Sequence, residues 1–190
     1  MMPIFVVVLA LAALAAAGKW TKNEKDDGGG TNDMTRADFL KKIAPLAKVI
    51  ETQLSIPTEI TVTQAAHESN WGTSQLTRDA NNLFGITGDS WKAKKKPVIE
   101  LPTTEYRDGK PYTTTRPFRK YTTWLDSLKD WANLIAADKR YAQAYQAARD
   151  HNAPLFFKLV AQAGYATDPR YSEKLVLVRD AVQRELEALA

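Results

Sequence analysis

The amino-acid sequence predicts a mainly α domain of the α+β class, in which a bundle of helices carries one small β-hairpin lobe. Apolar residues recur every three or four positions over most of residues 34–190, which is the period of an amphipathic helix. Between Trp91 and Tyr121 the pattern alternates instead, with Asp108-Gly109 near its middle. Asp-Gly between two β-rich stretches is a strong signal for a two-residue hairpin turn.

The composition fits one soluble domain with a short appendage. The chain has 190 residues, of which 44% are hydrophobic and 25% charged. Its net charge of +4 favours anionic partners, and on charge alone nucleic acid, anionic lipid and bacterial cell wall all stay open. With no cysteine and only two histidines, His67 and His151, we expect no disulfide, no metal site and no cofactor.

Residues 1–18 are predicted to be a signal peptide or an N-terminal membrane anchor. The apolar run Ile4–Ala17 is shorter than the roughly 20 residues of a membrane span, and small residues before Gly18 offer a cleavage site. Residues 19–33 mix charges with consecutive glycines and are predicted to be a flexible linker. We therefore expect an exported protein, periplasmic or extracellular, whose folded domain spans residues 34–190.

The first two predicted helices adjoin each other. Thr35 is a candidate N-cap with Asp38 completing a capping box, and Pro45 predicts a kink or two abutting helices. A second helix is expected to begin at Pro57 or Thr58 and to run to about Trp71.

The end of this second helix carries the most informative carboxylate, Glu68. Polar residues, an aromatic residue and a glycine follow it at once. An acid there can lie half out of water with a raised pKa, as a general acid near neutral pH requires. His67 is adjacent in sequence but about 100° away around the helix, so the two are not expected to pair.

The predicted hairpin places a second carboxylate. A two-residue turn at Asp108-Gly109 pairs Arg107 with Lys110 and Glu105 with Tyr112. The segment from Lys92 to Lys120 has a surplus of Lys and Arg. Such a hairpin is either a solvated charged face or the wall of a groove for an anionic polymer.

The remaining residues are predicted to be helical. Thr123 is a candidate N-cap, and Trp124 and Trp131 on the helix that follows are assigned to the core. Further helices are expected at Tyr141–Arg149, from Pro154 to Gly164, and from about Arg170 to Leu189.

Five motifs occur in a fixed order along the chain. They are QAAHESNWG (Gln64–Gly72), NLFGI (Asn82–Ile86), TTEY (Thr103–Tyr106), FRKY (Phe118–Tyr121) and GYATDPRY (Gly164–Tyr171). Together they resemble the N-acetylglucosaminidase family of bacterial peptidoglycan hydrolases, which includes autolysins and the wall-cutting domain of flagellar rod proteins. The resemblance covers roughly Ala37 to Val178 and implies a lysozyme-like fold with a groove between the helices and the hairpin.

The resemblance also implies roles for individual residues. Glu68 is the expected general acid, Glu105 the second carboxylate, and Tyr165 a catalytic tyrosine lining the active centre. The residues expected to bind the sugar are Ser69, Asn82, Phe84, Trp91 and Tyr121. The implied partner is the peptidoglycan glycan strand rather than nucleic acid, and the protein is expected to be a monomer.

Other functions are compatible with the same residues. A lytic transglycosylase or a muramidase would use the same fold, and a non-catalytic wall-binding module would retain the groove. Inversion, retention and substrate assistance stay open, as does the biological setting.

Overall fold

The computed structural model describes residues 34–107, 110–166 and 168–188, and it gives only the backbone of residues 104–107, 110 and 111. The predicted signal peptide or anchor, the predicted linker and the Asp108-Gly109 turn lie outside the described residues. The helices are α1 (Arg36–Leu54), α2 (Thr58–Ser69), α3 (Gln75–Ala80), α4 (Asp89–Ala93), α5 (Trp124–Ala137), α6 (Ala142–Arg149), α7 (Ala153–Gln162) and α8 (Tyr171–Ala188). Strands β1 (Val98–Arg107) and β2 (Lys110–Arg119) form an antiparallel pair, which confirms the predicted class. Within the described part, no helix is long and apolar enough to cross a membrane.

Helix α1 begins at the predicted capping box. The Thr35 hydroxyl accepts a hydrogen bond from the Asp38 amide at 3.1 Å, and the Asp38 carboxylate accepts one from the Thr35 amide at 3.4 Å. The helix continues through Pro45, so the alternative of two abutting helices is wrong. Pro45 is exposed, and the carbonyl that it leaves without a helical donor can bond to water.

Helix α2 begins after Pro57, as predicted, but ends at Ser69, two residues before the predicted end. The next three residues all have left-handed backbone conformations, with φ of 49° at Asn70, 54° at Trp71 and 80° at Gly72. Three such residues in succession cannot continue an α-helix, and they turn the chain sharply after the acid.

The hairpin has the predicted register. Arg107 pairs with Lys110 and Glu105 with Tyr112. The regular strand begins at Val98 rather than at Trp91, because residues 89–93 form the short helix α4. Helices α3 and α4 are not predicted from the sequence, since one or two turns are too short to show a helical period.

The base of the hairpin is fastened to the loop before α4. The Gly88 amide donates to the Pro117 carbonyl at 2.7 Å, and Thr87 forms a bridge with Phe118. A Cβ atom on Gly88 would lie 2.8 Å from the Val98 side chain, so a larger residue there would have to displace its neighbours. Phe118 packs into a small second core with residues of α3, which fixes the lobe at its base.

The main core lies among the helices, with α2 packed against α1 on one side and α8 on the other. Residues 60–66 of α2 are all buried. Trp131 and Trp124 of α5 are buried in the same core, which confirms their assignment. Glu68 therefore lies at the end of a helix whose preceding turns are inside the protein.

Candidate active site

Glu68 lies in the last turn of α2, one residue before the helix ends. Its side chain is half-buried. Burial raises its pKa from 4.5 to about 8, and a hydrogen bond from Tyr171 partly opposes that rise. Such a carboxyl group holds its proton at neutral pH and can donate it, as predicted from the sequence.

Ser69 fastens the backbone directly after the acid. Its hydroxyl donates to the Ala65 carbonyl at 2.6 Å and accepts from the Gly72 amide at 2.8 Å, and the side chain is buried. The hydroxyl thus both donates and accepts inside the protein. In this structure Ser69 holds the turn that follows α2, in place of the predicted contact with substrate.

Gly72 lets the chain pass close to two aromatic rings after the turn. A Cβ atom at Gly72 would lie 2.9 Å from the ring of Trp124 and 3.0 Å from the ring of Phe39. Its φ of +80° is also one that L residues rarely adopt. The segment after Glu68 is therefore seated against α1 and α5, which limits how far the acid can move.

Tyr171, the first residue of α8, contacts the acid directly. Its hydroxyl donates a hydrogen bond to Glu68 Oε1 and lies 3.0 Å from Gln64 Oε1. Gln64 is one helical turn before Glu68, and both Gln64 and Tyr171 are buried. Burial raises the pKa of Tyr171 well above its ordinary value, so the hydroxyl stays neutral and can donate.

Sequence reasoning misses both of these residues as site residues. Each nevertheless lies at one end of a motif, since Gln64 opens QAAHESNWG and Tyr171 closes GYATDPRY. The spacing of four between Gln64 and Glu68 places them on one face of the helix, and this signal was available from the sequence.

Tyr165 lies behind Tyr171 and is 0% exposed. The two rings stack with centroids 5.9 Å apart, and the ring of Tyr141 meets Tyr165 edge-on at 6.0 Å. Burial and the nearby Glu68 charge raise the pKa of Tyr165 well above its ordinary value, while the side chains of Trp131 and Gln64 beside its hydroxyl partly offset this. In this structure Tyr165 supports the site from inside and does not line it, which corrects the predicted position.

Glu105 lies on β1 opposite Tyr112, as predicted. Its side chain lies outside the described residues, so its pairing with Glu68 stays a prediction.

Asn82 and Phe84 are parts of the core. The Asn82 amide nitrogen donates to the carbonyls of Ile86 and Arg119 at 3.0 and 2.9 Å, and its oxygen accepts from the Ile86 amide at 3.1 Å. Phe84 stacks on Trp131 with ring centroids 4.8 Å apart and planes at 8°. Both side chains are buried, so they shape the loop before α4 in place of the predicted contact with sugar.

Tyr121 and Trp91 lie beside each other at the base of the hairpin. Tyr121 is buried and its hydroxyl donates to Asp130 at 2.5 Å, which makes it a structural residue. Trp91 is half-buried, with its ring edge-on to Tyr121 at 5.3 Å and the Arg119 guanidinium 5.2 Å from its centroid. Of the predicted sugar-binding residues, Trp91 is the one that keeps an accessible aromatic surface.

Apart from Phe84, which packs in the main core, and Glu105, whose side chain is not described, the predicted residues fall into two places. Glu68, Ser69 and Tyr165 gather at the end of α2, and Asn82, Trp91 and Tyr121 gather at the base of the hairpin. Across the ranges that the structure describes, no group of three or more His, Cys, Asp or Glu side chains is placed to hold a metal ion.

Comparisons with known proteins identify one family. Residues 44–183 match the glucosaminidase family, described as mannosyl-glycoprotein endo-beta-N-acetylglucosaminidase. The chain is 36% identical over 143 residues to the peptidoglycan hydrolase FlgJ of Salmonella typhimurium, a match that covers 73% of this chain and 43% of the relative. It is 32% identical over 142 residues to the exo-glucosaminidase LytG of Bacillus subtilis, covering 72% of this chain and 48% of LytG. The matched region thus spans less than half the length of these relatives.

A solved structure shares the fold over nearly its whole length. The crystal structure of a peptidoglycan hydrolase mutant from Sphingomonas sp. A1 aligns with a TM-score of 0.69 and 31% sequence identity. The alignment covers 80% of this chain and 99% of that one. This chain therefore has the same fold as that hydrolase.

Proposed function

This chain belongs to the glucosaminidase family of peptidoglycan hydrolases, and we propose that it cleaves the β-1,4 bond after N-acetylglucosamine in glycan strands as an endo-acting glycoside hydrolase. The observation that carries the proposal is Glu68, a half-buried carboxyl at a helix end with a pKa raised to about 8. Proton donation to a leaving sugar oxygen needs a group of this kind at neutral pH.

Glu68 acts as the general acid. Its proton passes to the glycosidic oxygen, which takes the electron pair of the breaking bond to the anomeric carbon. Positive charge then develops on the sugar ring, and Glu68 is left as a carboxylate. Because the α2 turn is held by Ser69 and Gly72, the acid meets the bond in a fixed orientation.

Glu105 supplies the second carboxylate. In its role as the second carboxylate, Glu105 either activates the attacking water or stabilises the positive charge. Its place on β1, across from Tyr112, supports this role, because the base of this hairpin is fastened to the helical body.

The proposal is tested with paired substitutions and zymography on purified cell walls. Glu68→Gln is expected to reduce wall clearing by about 10²–10⁴-fold, the usual contribution of a general acid, and Glu105→Gln to reduce it strongly. Glu59→Gln on the same helix and Glu100→Gln on the same strand are the matched controls and should clear the wall normally. Full activity in Glu68→Gln would exclude Glu68 as the acid.

The products identify the bond. Mass spectrometry of digested peptidoglycan should show fragments that end in reducing N-acetylglucosamine. Reducing N-acetylmuramic acid would indicate a muramidase, and anhydro-muramic ends would indicate a lytic transglycosylase. Oligosaccharide products fit an endo-enzyme, whereas disaccharides alone would match the exo-acting relative. Wall binding without any product would indicate a binding module.

The substrate also bears on location. Peptidoglycan lies outside the cytoplasmic membrane, so we propose that residues 1–18 direct export or anchor the chain there. We also propose that the domain works as a monomer. Cell fractionation, N-terminal sequencing of the mature protein and its mass in solution test these three points. A wild-type chain that stays in the cytoplasm would contradict export.

A further inference from the structure

The hydroxyl of Tyr171 lies between two acceptors on one face of α2. It reaches Glu68 Oε1 and lies 3.0 Å from Gln64 Oε1. A neutral phenol carries one hydrogen, so it can donate fully to only one of the two at a time. The proton of this hydroxyl is therefore shared between the acid and a neutral amide.

We infer that Tyr171 and Gln64 are positioning residues for the acid, and that the Tyr171 hydrogen bond moves wholly to Glu68 as Glu68 gives up its proton. The inference rests on the proposed role of Glu68 as the general acid. Neither residue touches the sugar. Both act by setting which oxygen of Glu68 carries the proton and how stable the resulting carboxylate is.

The geometry assigns the two carboxyl oxygens. Within the described residues, Oε1 of Glu68 receives the Tyr171 hydroxyl, and no donor is directed at Oε2. The proton available to a leaving group is then the one on Oε2. When the Oε2 proton passes to the glycosidic oxygen, Tyr171 keeps its own proton. The only change at Tyr171 is that its hydroxyl then donates to Glu68 alone.

The hydrogen bond from Tyr171 to Glu68 becomes stronger as Glu68 loses its proton. A hydrogen bond to a carboxylate is roughly twice as strong as one between neutral groups, so Tyr171 stabilises Glu68 more after proton transfer than before it. An interaction that strengthens along the reaction lowers the barrier instead of merely binding the ground state. While Glu68 is protonated, Gln64 competes for the hydroxyl proton of Tyr171, and this competition favours the protonated acid.

The ring of Tyr171 is fixed on several sides, so its hydroxyl hydrogen is the part that can turn. Tyr165 stacks on the ring at 5.9 Å, and His67 meets it edge-on at 5.4 Å. The titratable side chains of His67, Tyr165 and Tyr141 stay neutral near pH 7, whereas Lys174 and Asp168 carry the nearby charges. Burial lowers the pKa of His67 to about 4, with Lys174 lowering it and Asp168 raising it, and burial raises the pKa of Tyr165 and Tyr141.

Two substitutions should shift the acid in opposite directions. Tyr171→Phe removes the donor and should raise the pKa of Glu68 above that of the wild type, because the hydrogen bond favours the charged form. Gln64→Met removes the competing acceptor, leaves the Tyr171 proton to Glu68 alone, and should lower that pKa. Carbon-13 NMR titration of labelled glutamate carboxyls measures both shifts directly.

Kinetics and a matched control complete the experiment. Tyr171→Phe should lower kcat about ten- to hundredfold with little change in KM, as expected for loss of a hydrogen bond to a charged group. Tyr141→Phe removes the same atom from another buried tyrosine and should leave the Glu68 pKa and kcat unchanged. Circular dichroism confirms that each variant is folded. If one of the two test variants does not fold, the other still tests the predicted direction of its shift in the Glu68 pKa.

Several results would overturn the inference. They are an unchanged Glu68 pKa in Tyr171→Phe, shifts of the same sign in the Tyr171 and Gln64 variants, or an effect of Tyr141→Phe as large as that of Tyr171→Phe. Failure of the proposed function itself is recognised separately, because Glu68→Gln would then keep its activity.

Discussion

Arg119, the last residue of β2, and Asp130 of α5 form a partly buried ion pair with 2.5 Å between Nη1 and Oδ2. Their side chains are 8% and 25% exposed. The same carboxylate oxygen accepts from the Tyr121 hydroxyl, and Arg119 Nε donates to the Thr87 carbonyl at 3.1 Å. One carboxylate thus joins the foot of the hairpin to the helical body.

Removing that carboxylate should destabilise the whole domain. Asp130→Ala leaves the Arg119 guanidinium buried without its counter-charge, and we expect the free energy of unfolding to fall by about 3 kcal/mol. Urea unfolding followed by circular dichroism measures it. The control is Glu100→Ala, which breaks the exposed pair with Lys92 and should cost less than about 1 kcal/mol. Equal losses in the two variants would mean that Asp130 is not a structural clamp.

The raised pKa of Glu68 should make stability depend on pH. Between pH 4.5 and about 8 the folded protein keeps a proton that the unfolded chain has lost, so this carboxyl makes the folded state less stable as the pH rises through that window. Glutamine cannot ionise. Glu68→Gln should therefore match the wild type near pH 4.5 and exceed it by roughly 2–4 kcal/mol at pH 8.

Thermal unfolding at several pH values between 4.5 and 8.5 tests this difference. Glu59→Gln is the control, because Glu59 pairs with Arg179 and its replacement should bring no gain that grows with pH. A constant difference between Glu68→Gln and the wild type across the window would contradict the raised pKa.

Asn82 and Trp91 should respond differently to truncation. Asn82→Ala removes three hydrogen bonds to backbone groups and should lower the free energy of unfolding by about 2–4 kcal/mol, with KM nearly unchanged in the folded fraction. Trp91→Ala should raise KM several-fold with a smaller loss of stability, because half-buried aromatic surface is available for a sugar. Steady-state kinetics beside urea unfolding separates the two, and a raised KM in Asn82→Ala would restore its predicted binding role.

Local signals in the sequence predicted much of the fold. The capping box at Thr35, the N-cap at Thr123 and the Asp-Gly register of the hairpin depend on residues within a few positions of one another, and the structure confirms all three. The end of α2 was placed two residues too late, because Asn70 adopts the left-handed C-cap conformation and ends the helix before Gly72.

The site was less predictable, because some of its contacts join residues that lie far apart in the sequence. The acid and its raised pKa follow from a local pattern, whereas Tyr171 reaches Glu68 from another helix and no periodicity reports that contact. Polar residues such as Asn82 gave a misleading signal, because a buried amide that satisfies backbone groups has the same residue type as one that binds sugar. Motif order locates such residues but does not say which way they point.

The distance along the chain between Glu68 and Tyr171 has a consequence for biogenesis. Helix α2 is made well before α8, and the two meet only when α8 folds back and its Arg179 and Gln183 bind Glu59. Until then the carboxyl of Glu68 has neither the hydrogen bond nor the burial that tunes it. A chain still emerging from the ribosome therefore carries an ordinary acidic side chain at this position, and the raised pKa is acquired only when α8 packs against α2.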